Sequence, residues 1–405
     1  MPGRFVSRTW QYDPTIAAPA RYRRACRYDA FVPAELSSLE LSLDAPLAGL
    51  VSEAEHAIRQ LNDEGGSTLA PLARLLLRTE SIASSKVEGI QLGVRELARA
   101  EAKAESGLNP GPTATEVLAN IDAMVLAMDE AADVARFGEV ELLAIHRRLL
   151  ERAPHRHIAG RIRTTQNWIG GNDYNPCGAD FVPPPPEEVP RLLADLYRAI
   201  DDDTLPPLVQ AALVHAQFET IHPFEDGNGR AGRALVHVVF KRRAIAPRFV
   251  PPISVIFAGA KDRYIAGLTR FREEGVAEWV EHFAAATARA ARLARAYVIA
   301  VRTLQEQWRE QLHATQRPPR ADAAAWAIIE LLPAHPMISA PVAAAVTDRA
   351  KSKVYEGIEQ LVGAGVLLSL TEGKRNRWWE AAGLLDLIAR LEEGHLPPRL
   401  LHGSV

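Results

Sequence analysis

Apolar residues recur at helical spacing along most of this chain, and the pattern predicts a mainly α-helical protein. Helical periodicity starts near Pro46 and breaks at Asp63-Glu64-Gly65-Gly66. Ser67 is placed to cap the next helix, which carries Leu72, Leu76, Thr79, Ala83 and Val87 on one face and ends on Ser84-Ser85-Lys86-Val87-Glu88-Gly89. Asn109-Pro110-Gly111-Pro112 is a breaker, followed by helices from Thr115 to Glu130 and from Glu139 to Arg152. Trp168 and Ile169 before Gly170-Gly171 suit a short strand turning into a hairpin, with Phe181 and the run Pro183 to Pro186 closing it. A buried helix from Pro206 to Glu219 leads into a glycine-rich turn, and Ala234 to Phe240 continues as a second apolar helix. Ala277 to His313 reads as one long helix, stopped at Arg317-Pro318-Pro319-Arg320. Beyond it come Ala323 to Leu332, a short helix capped by Ser339, and Arg349 to Ala364. Alternation from Val366 to Leu370 and a turn at Glu372-Gly373 then give a β-hairpin. Residues 1–45, with scattered prolines, read as irregular, and no internal repeat is visible.

The length of 405 residues allows two or three domains. Four segments follow from the breakers: a helical region 1–109, a core 110–290, a helical linker 291–317 and a compact segment 318–395. A hydrophobic content of 47% and a charged content of 24% are those of an ordinary soluble globular protein. A formal charge of −3 gives no global field for nucleic acid or membrane. The arginines at 21, 23, 24 and 27 fit a solvated or internally paired surface, with contact to nucleic acid or phosphate as the other reading. Cys26 and Cys177, far apart in a long chain, make neither a disulfide framework nor a zinc site, so a reducing compartment is expected. No run is apolar and long enough to span a bilayer, and the expectation is a cytoplasmic protein.

The chemistry concentrates in His222-Pro223-Phe224-Glu225-Asp226-Gly227-Asn228-Gly229-Arg230-Ala231-Gly232-Arg233. A loop ending on a helix N-terminus offers unpaired backbone N–H groups and a positive dipole end to an anion. Gly227 and Gly229 let the backbone approach a phosphate, and Arg230 and Arg233, three residues apart, share a face of the helix. A neutral imidazole at His222 can take a proton from an attacking hydroxyl. A carboxylate at Asp226 beside bound phosphates is a usual protein contribution to a Mg²⁺ site. Together these residues describe phosphoryl-type transfer.

His222 to Arg233 resembles the signature of the Fic family, HPFx(D/E)GNGRxxR, at every specified position. The run His215 to Ile221 before it, and Tyr264, Leu268, Gly275, Trp279 and Phe283 after it, are similar to the family as well. The resemblance covers roughly residues 50–285. It implies transfer of AMP from ATP to a hydroxyl (Tyr, Thr or Ser) of a target protein, with release of pyrophosphate. His222 would be the base, and Asp226 would hold Mg²⁺, or Mn²⁺ in its place. Gly227, Asn228 and Gly229 would cradle phosphates that Arg230 and Arg233 also hold. Phe224 would anchor the loop. Ile169, Gly170 and Gly171 would belong to a flap that aligns the target peptide by main-chain hydrogen bonds. Tyr264 would line the adenine pocket or sit in the core. His146 resembles a family position and suits a buried, hydrogen-bonded role.

Ser84, Glu88 and Gly89 match the family's inhibitory pattern (S/T)xxxE(G/N), which implies that Glu88 pairs with Arg233 and displaces the γ-phosphate. A glutamate in the last turn of a helix opposes the dipole there, in keeping with a role other than ending the helix. The C-terminal helices and hairpin resemble a winged helix. Arg349, Lys351 and Lys353 would start its third helix, and Lys374, Arg375 and Arg377 would sit on the wing, where DNA contacts belong. Glu356 and Glu359 weaken that basic stripe, and packing or homodimerisation is the other reading. The expected protein is thus a mainly α chain: a helical core with a small β-hairpin flap, an N-terminal helical segment and a C-terminal winged helix. Self-modification, removal of AMP with Glu88 orienting water, and a nucleotide-sensing DNA-binding regulator stay open beside AMP transfer.

Overall fold

A computed structural model of the chain describes residues 2–15, 17–64, 70–105, 107–273, 275–370 and 377–398. Strands β1 (Gly3–Trp10) and β2 (Cys26–Pro33) pair antiparallel, from Gly3 opposite Pro33 to Trp10 opposite Cys26. Helices follow as α1 (Ala45–Asp63), α2 (Ala70–Val87), α3 (Val94–Glu105), α4 (Pro112–Leu126), α5 (Glu139–Leu150) and α6 (Val189–Asp201). Then come α7 (Pro207–Ile221), α8 (Asn228–Arg242), α9 (Ile253–Gly259), α10 (Lys261–Glu273) and α11 (Val276–His313). The C-terminal part runs α12 (Ala324–Leu331), β3 (Met337–Ser339), α13 (Ala340–Thr347), α14 (Lys351–Gly363), β4 (Leu367–Ser369), β5 (Trp378–Ala381) and α15 (Leu384–Glu392). The protein is mainly helical with small antiparallel sheets, as the periodicity predicts.

The first 45 residues correct the expectation of irregular chain. Val6, Thr9 and Trp10 favour a strand, but β1 is solvent-exposed along most of its length, so no apolar alternation announces it. The two cysteines correct another expectation. Pairing of β1 with β2 places Cys26 so that its Cα lies 6.3 Å from that of Cys177, and the two form a disulfide. A sequence separation of 151 residues says nothing about distance in the fold, and the bonded pair removes the ground for a reducing compartment. Among the described residues no helix is long and apolar enough to cross a membrane.

The chain divides into two units, each assembled from three stretches. One comprises Met1–Glu55, Asp122–Ile245 and Ala260–Ala285; the other comprises His56–Ile121, Ala246–Gly259 and Ala286–Val405. The axis of the first is α7, buried on all sides from Leu208 to Ile221. Gly232 lets α8 approach it, since a Cβ there would stand 2.6 Å from the Glu219 carboxylate and 2.9 Å from the Phe218 ring. Helix α6 covers α7 with Leu192, Leu193, Leu196 and Ile200. Trp279 and Phe283 are fully buried, as packing residues should be, and the Trp279 indole donates to the Ala212 carbonyl at 2.8 Å.

In the second unit the predicted stripe of α2, Leu72, Leu76, Thr79, Ala83 and Val87, is buried. The Glu80 carboxylate accepts from the N–H and the hydroxyl of Ser254 at 2.8 and 2.5 Å, which joins α2 to α9. Asn120 donates to the Ser81 carbonyl and the Ser85 hydroxyl at 2.7 and 3.0 Å and so fixes the last turns of α2. Strands β3, β5 and β4 form one antiparallel sheet in that order, and the Ser339 hydroxyl caps α13 by accepting from Val342 N–H at 3.4 Å. Ser67, Glu372, Gly373, Lys374 and Arg375 lie outside the described residues. Arg377 stacks 5.0 Å above the Trp379 ring.

Candidate active site

Helix α7 stops at His222, whose φ of 49° and ψ of 60° are left-handed, and Pro223 cannot continue a helix. A left-handed L-residue costs roughly 1–2 kcal/mol, so the surroundings must hold it. Phe224 does part of this: it is fully buried and stacks on His146 with ring centroids 3.6 Å apart and planes 5° from parallel. Asn228 does more. Its Oδ1 accepts from the Phe224 N–H and its Nδ2 donates to the Phe224 carbonyl, both at 2.9 Å, so the loop is clamped to the start of α8. Gly227 turns at φ 79°, where a Cβ would also press on Leu149 at 3.0 Å. The first N–H groups of α8 have no intrahelical acceptor and face the turn with the positive dipole end.

His146 supports the turn from beneath, in the hydrogen-bonded role expected of it. The Gly160 N–H donates to its Nδ1 at 3.0 Å, which leaves the proton on Nε2 to donate to the Asp226 carbonyl at 2.9 Å. Burial pushes its pKa down to about 4, against the raising influence of Asp226, so the ring stays neutral and keeps this tautomer.

The charged groups are unevenly satisfied. Half of the Asp226 side chain is exposed; Oδ1 accepts from the Gly227 N–H at 2.6 Å and Oδ2 lies 3.7 Å from Arg230 Nη2. Arg230 is 4% exposed, and its Nε and Nη1 are buried without a hydrogen-bond partner. Open donors on a buried guanidinium are costly, and an anion bound there would satisfy them. Arg233, one turn further on, is buried at 2% exposure. His222 is half-buried at the end of α7, its Nδ1 3.4 Å from the Glu219 carbonyl. Among the described residues no group of three metal-ligating side chains gathers. One carboxylate beside substrate phosphates is nevertheless a common way to hold Mg²⁺, and Asp226 fits it.

The flap is smaller than the hairpin expected. Ile169 and Phe181 make a single antiparallel bridge, with Gly170 and Gly171 both at positive φ. A ladder cannot extend beyond Phe181 because the prolines at 183–186 have no N–H to donate. Tyr264 lies in the core: it is 4% exposed, and its hydroxyl meets His215 Nε2 at 2.8 Å beside Trp279. Ser84 is fully buried in α2, while Glu88 and Gly89 form the surface turn that closes the helix, Gly89 at φ 84°. These three residues belong to the unit that does not contain His222. A cleft of about 960 Å³ opens on the flap, lined by Tyr28, Asp29, Phe31, Asp180, Phe181 and Arg272 and by no residue of 222–233. Sequence reasoning missed the clamp made by Asn228 and the bonds that Arg163 and Asn167 give to the carbonyls of His222 and Phe224.

Residues 136–240 match the model of the Fic/DOC family, and residues 48–129 match that of the Fic/DOC family N-terminal segment. The chain is 36% identical over 114 residues to protein adenylyltransferase fic-1 of Caenorhabditis elegans, a stretch that is 27% of this chain and 20% of the relative. It is 35% identical over 127 residues to protein adenylyltransferase Fic of Nematostella vectensis, 31% of this chain and 26% of the relative. The matched stretch thus spans about a fifth to a quarter of these relatives. A crystal structure of a Fic family protein from Desulfovibrio desulfuricans G20 is similar in fold, with a TM-score of 0.52 at 21% identity, covering 85% of this chain and 98% of that one.

Proposed function

We propose that this chain, whose residues 136–240 match the model of the Fic/DOC family and whose residues 48–129 match that of the family's N-terminal segment, transfers AMP from ATP to a protein hydroxyl. The observation that carries this reading is Arg230, a buried guanidinium with two open donors in the first turn of α8, just after its cap residue Gly227. A site for a neutral ligand would not need it; a phosphate would satisfy both donors. In the reaction, His222 takes the proton of a Tyr, Thr or Ser hydroxyl. The oxygen attacks the α-phosphorus, the bond to the bridging oxygen breaks, and pyrophosphate leaves. The N–H groups of Asn228, Gly229 and Arg230, with the guanidinium groups of Arg230 and Arg233, take up charge on the phosphates. Asp226 is the residue that would hold Mg²⁺, or Mn²⁺, whose chemistry is neutralisation of phosphate charge. Ile169, Gly170 and Gly171 present backbone to an extended acceptor segment.

Glu88 is the brake in this reading. Its carboxylate and the γ-phosphate compete for Arg233, and a charge-assisted contact of about 1.5–3 kcal/mol corresponds to roughly 10–100-fold in rate. The C-terminal order α12, β3, α13, α14, β4, β5 is read as a winged helix that packs or dimerises without touching DNA.

Protein label from ATP carrying ³²P at the α-position, and none from the γ-position, is the expected result. Glu88→Gly should raise incorporation about 10–100-fold, Arg233→Ala should not, and the double variant should stay low. Unchanged incorporation in Glu88→Gly removes the brake, and no α-label with any acceptor removes the transferase. Loss of label from a pre-modified protein would point to AMP removal instead. Retention of duplex DNA at low salt would favour the regulator reading.

A further inference from the structure

Four consecutive carbonyls around the proposed base are bonded by donors from one short segment, residues 163–167. Arg163 donates through Nη2 to the Ile221 carbonyl at 3.3 Å and through Nε to that of His222 at 2.8 Å. The backbone N–H of Arg163 donates to the Pro223 carbonyl at 2.9 Å. Asn167 Nδ2 then donates to the carbonyls of His222 and Phe224 at 3.2 and 2.9 Å. Arg163 is 2% exposed, and its other bonds go to the carbonyls of Thr165 at 3.1 Å and Pro184 at 2.6 Å. A buried cation is thus bonded to neutral backbone oxygens, two of which, those of Ile221 and His222, flank the backbone of the proposed base. Desolvation lowers its pKa to about 10, so it stays charged at neutral pH.

The geometry explains what this arrangement does. His222 is left-handed, and fixing the peptide groups on both sides of a residue fixes its φ and ψ. Those two angles set the direction in which Cβ, and with it the imidazole, leaves the chain. Released, an L-residue relaxes by roughly 1–2 kcal/mol toward the right-handed or extended regions, and the ring would swing away. We infer that Arg163 and Asn167 are positioning residues for the base: they hold the left-handed turn at His222 and thereby aim its imidazole. The inference rests on the reading of His222 as that base. Neither residue contacts substrate in this role, and both act through the backbone of 221–224.

The test uses the full chain with Asn167→Ala and Arg163→Lys. Asn167 is half-buried, so its loss leaves the core intact, whereas a lysine cannot reproduce the fork of Arg163. AMP transfer at saturating ATP and acceptor should fall about 10–100-fold, because a base displaced by about 1 Å loses that order of rate. Affinity for a fluorescent ATP analogue should stay within about threefold, since the phosphate cradle is not altered. Amide hydrogen exchange should quicken in the segment 221–228 and stay unchanged in α8 beyond it. Unchanged transfer in Asn167→Ala, or a parallel loss of nucleotide affinity and melting temperature in both variants, overturns the inference. Should the wild type transfer no AMP, the reaction proposed above is wrong, and titration of the His222 imidazole by NMR decides this inference separately. A titration that moves in Asn167→Ala is that of a ring these residues orient; an unmoved one is not.

Discussion

The turn from His222 to Asn228 and the flap from Trp168 to Phe181 lie in the same unit and are held in opposite ways. In the turn, the carbonyls from Ile221 to Phe224 are all bonded, the Phe224 ring is stacked on His146, and Asn228 closes the loop. The flap has one β-bridge, a loop organised by Asn172, and two successive glycines at positive φ. Further supports come from the N-terminal hairpin and from α10. They include the Cys26–Cys177 disulfide, the Trp10–Trp168 pair at 5.4 Å, the Tyr22–Tyr174 stack at 5.2 Å and the Arg272 guanidinium 3.9 Å over the Phe181 ring. A base works only if its position is fixed beforehand. A strand-like edge that accepts an extended segment gains from being adjustable. If His222 is the base and the flap the docking edge proposed above, buried hydrogen bonds serve the chemistry and links at the rim serve the docking.

The largest effect expected is on the turn. His222→Ala should lower AMP transfer by about 10²–10⁴ while nucleotide affinity stays close to wild type. A gel assay with labelled ATP and a binding isotherm check the two halves. Transfer near the wild-type rate would mean that the fixed turn serves something other than proton transfer, and the contrast with the flap would lose its functional meaning.

Next comes the covalent link on the flap side. Cys177→Ser removes a cross-link between positions 151 residues apart, and loss of such a bond typically costs about 2–5 kcal/mol. Under oxidising conditions the melting temperature should fall by roughly 5–10 °C, and a reductant should bring wild type to the same value. Hydrogen exchange should rise in 170–180 and not in 221–228. Faster exchange in the turn would show that the two regions are one mechanical body.

How much of this was legible in the sequence depends on whether a residue's role is local. The loop between α7 and α8, the stripe of α2, the cap at Ser339 and the length of α11 follow from spacing and from residue types that act on their own neighbours. The N-terminal hairpin was not legible, because β1 shows solvent most of its side chains and lacks an apolar alternation. The disulfide depended on that hairpin and went with it. Asn228 looked like part of a phosphate cradle, but its side chain is spent on Phe224, and only the fold reveals which end of an amide is occupied. Arg163 reads as one more surface arginine until the carbonyls it serves are brought to it from some sixty residues away. Tyr264 was legible only as an aromatic, and a buried neighbour, His215, decided its place.

Acid should separate the two regions further. His146 in the unfolded chain titrates near 6.5 and in the fold near 4, so between those values the unfolded state binds the extra proton. Stability therefore falls as the pH is lowered through that window, by roughly 2–4 kcal/mol for this one group. Burial holds His215 lower still, at about 3, and adds to the slope in the same direction. No histidine lies within the flap. Exchange at pH 5 should thus quicken first in 221–228, and His146→Gln should flatten the dependence of stability on pH. An equal acid response in both segments would place the titrating groups elsewhere.

The smallest expected effect isolates the flap without touching its covalent link. Asn172 Oδ1 accepts from the N–H groups of Tyr174 and Asn175 at 2.9 and 3.0 Å, while its backbone carbonyl takes the Trp168 indole N–H at 2.6 Å. Asn172→Ala keeps that carbonyl and removes the side-chain turn together with the long bonds that Nδ2 gives to Asn175 Oδ1 and the Cys177 carbonyl, both at 3.3 Å, a loss of about 1 kcal/mol of local order. If the flap docks the acceptor, the cost appears where the acceptor binds, so its KM should rise about threefold to fivefold. The rate at saturating acceptor should not change, because His222 is held by other bonds. A fall in that saturated rate with KM unchanged is the outcome that would break the comparison, since the flap would then be helping to fix the base rather than to hold what the base acts on.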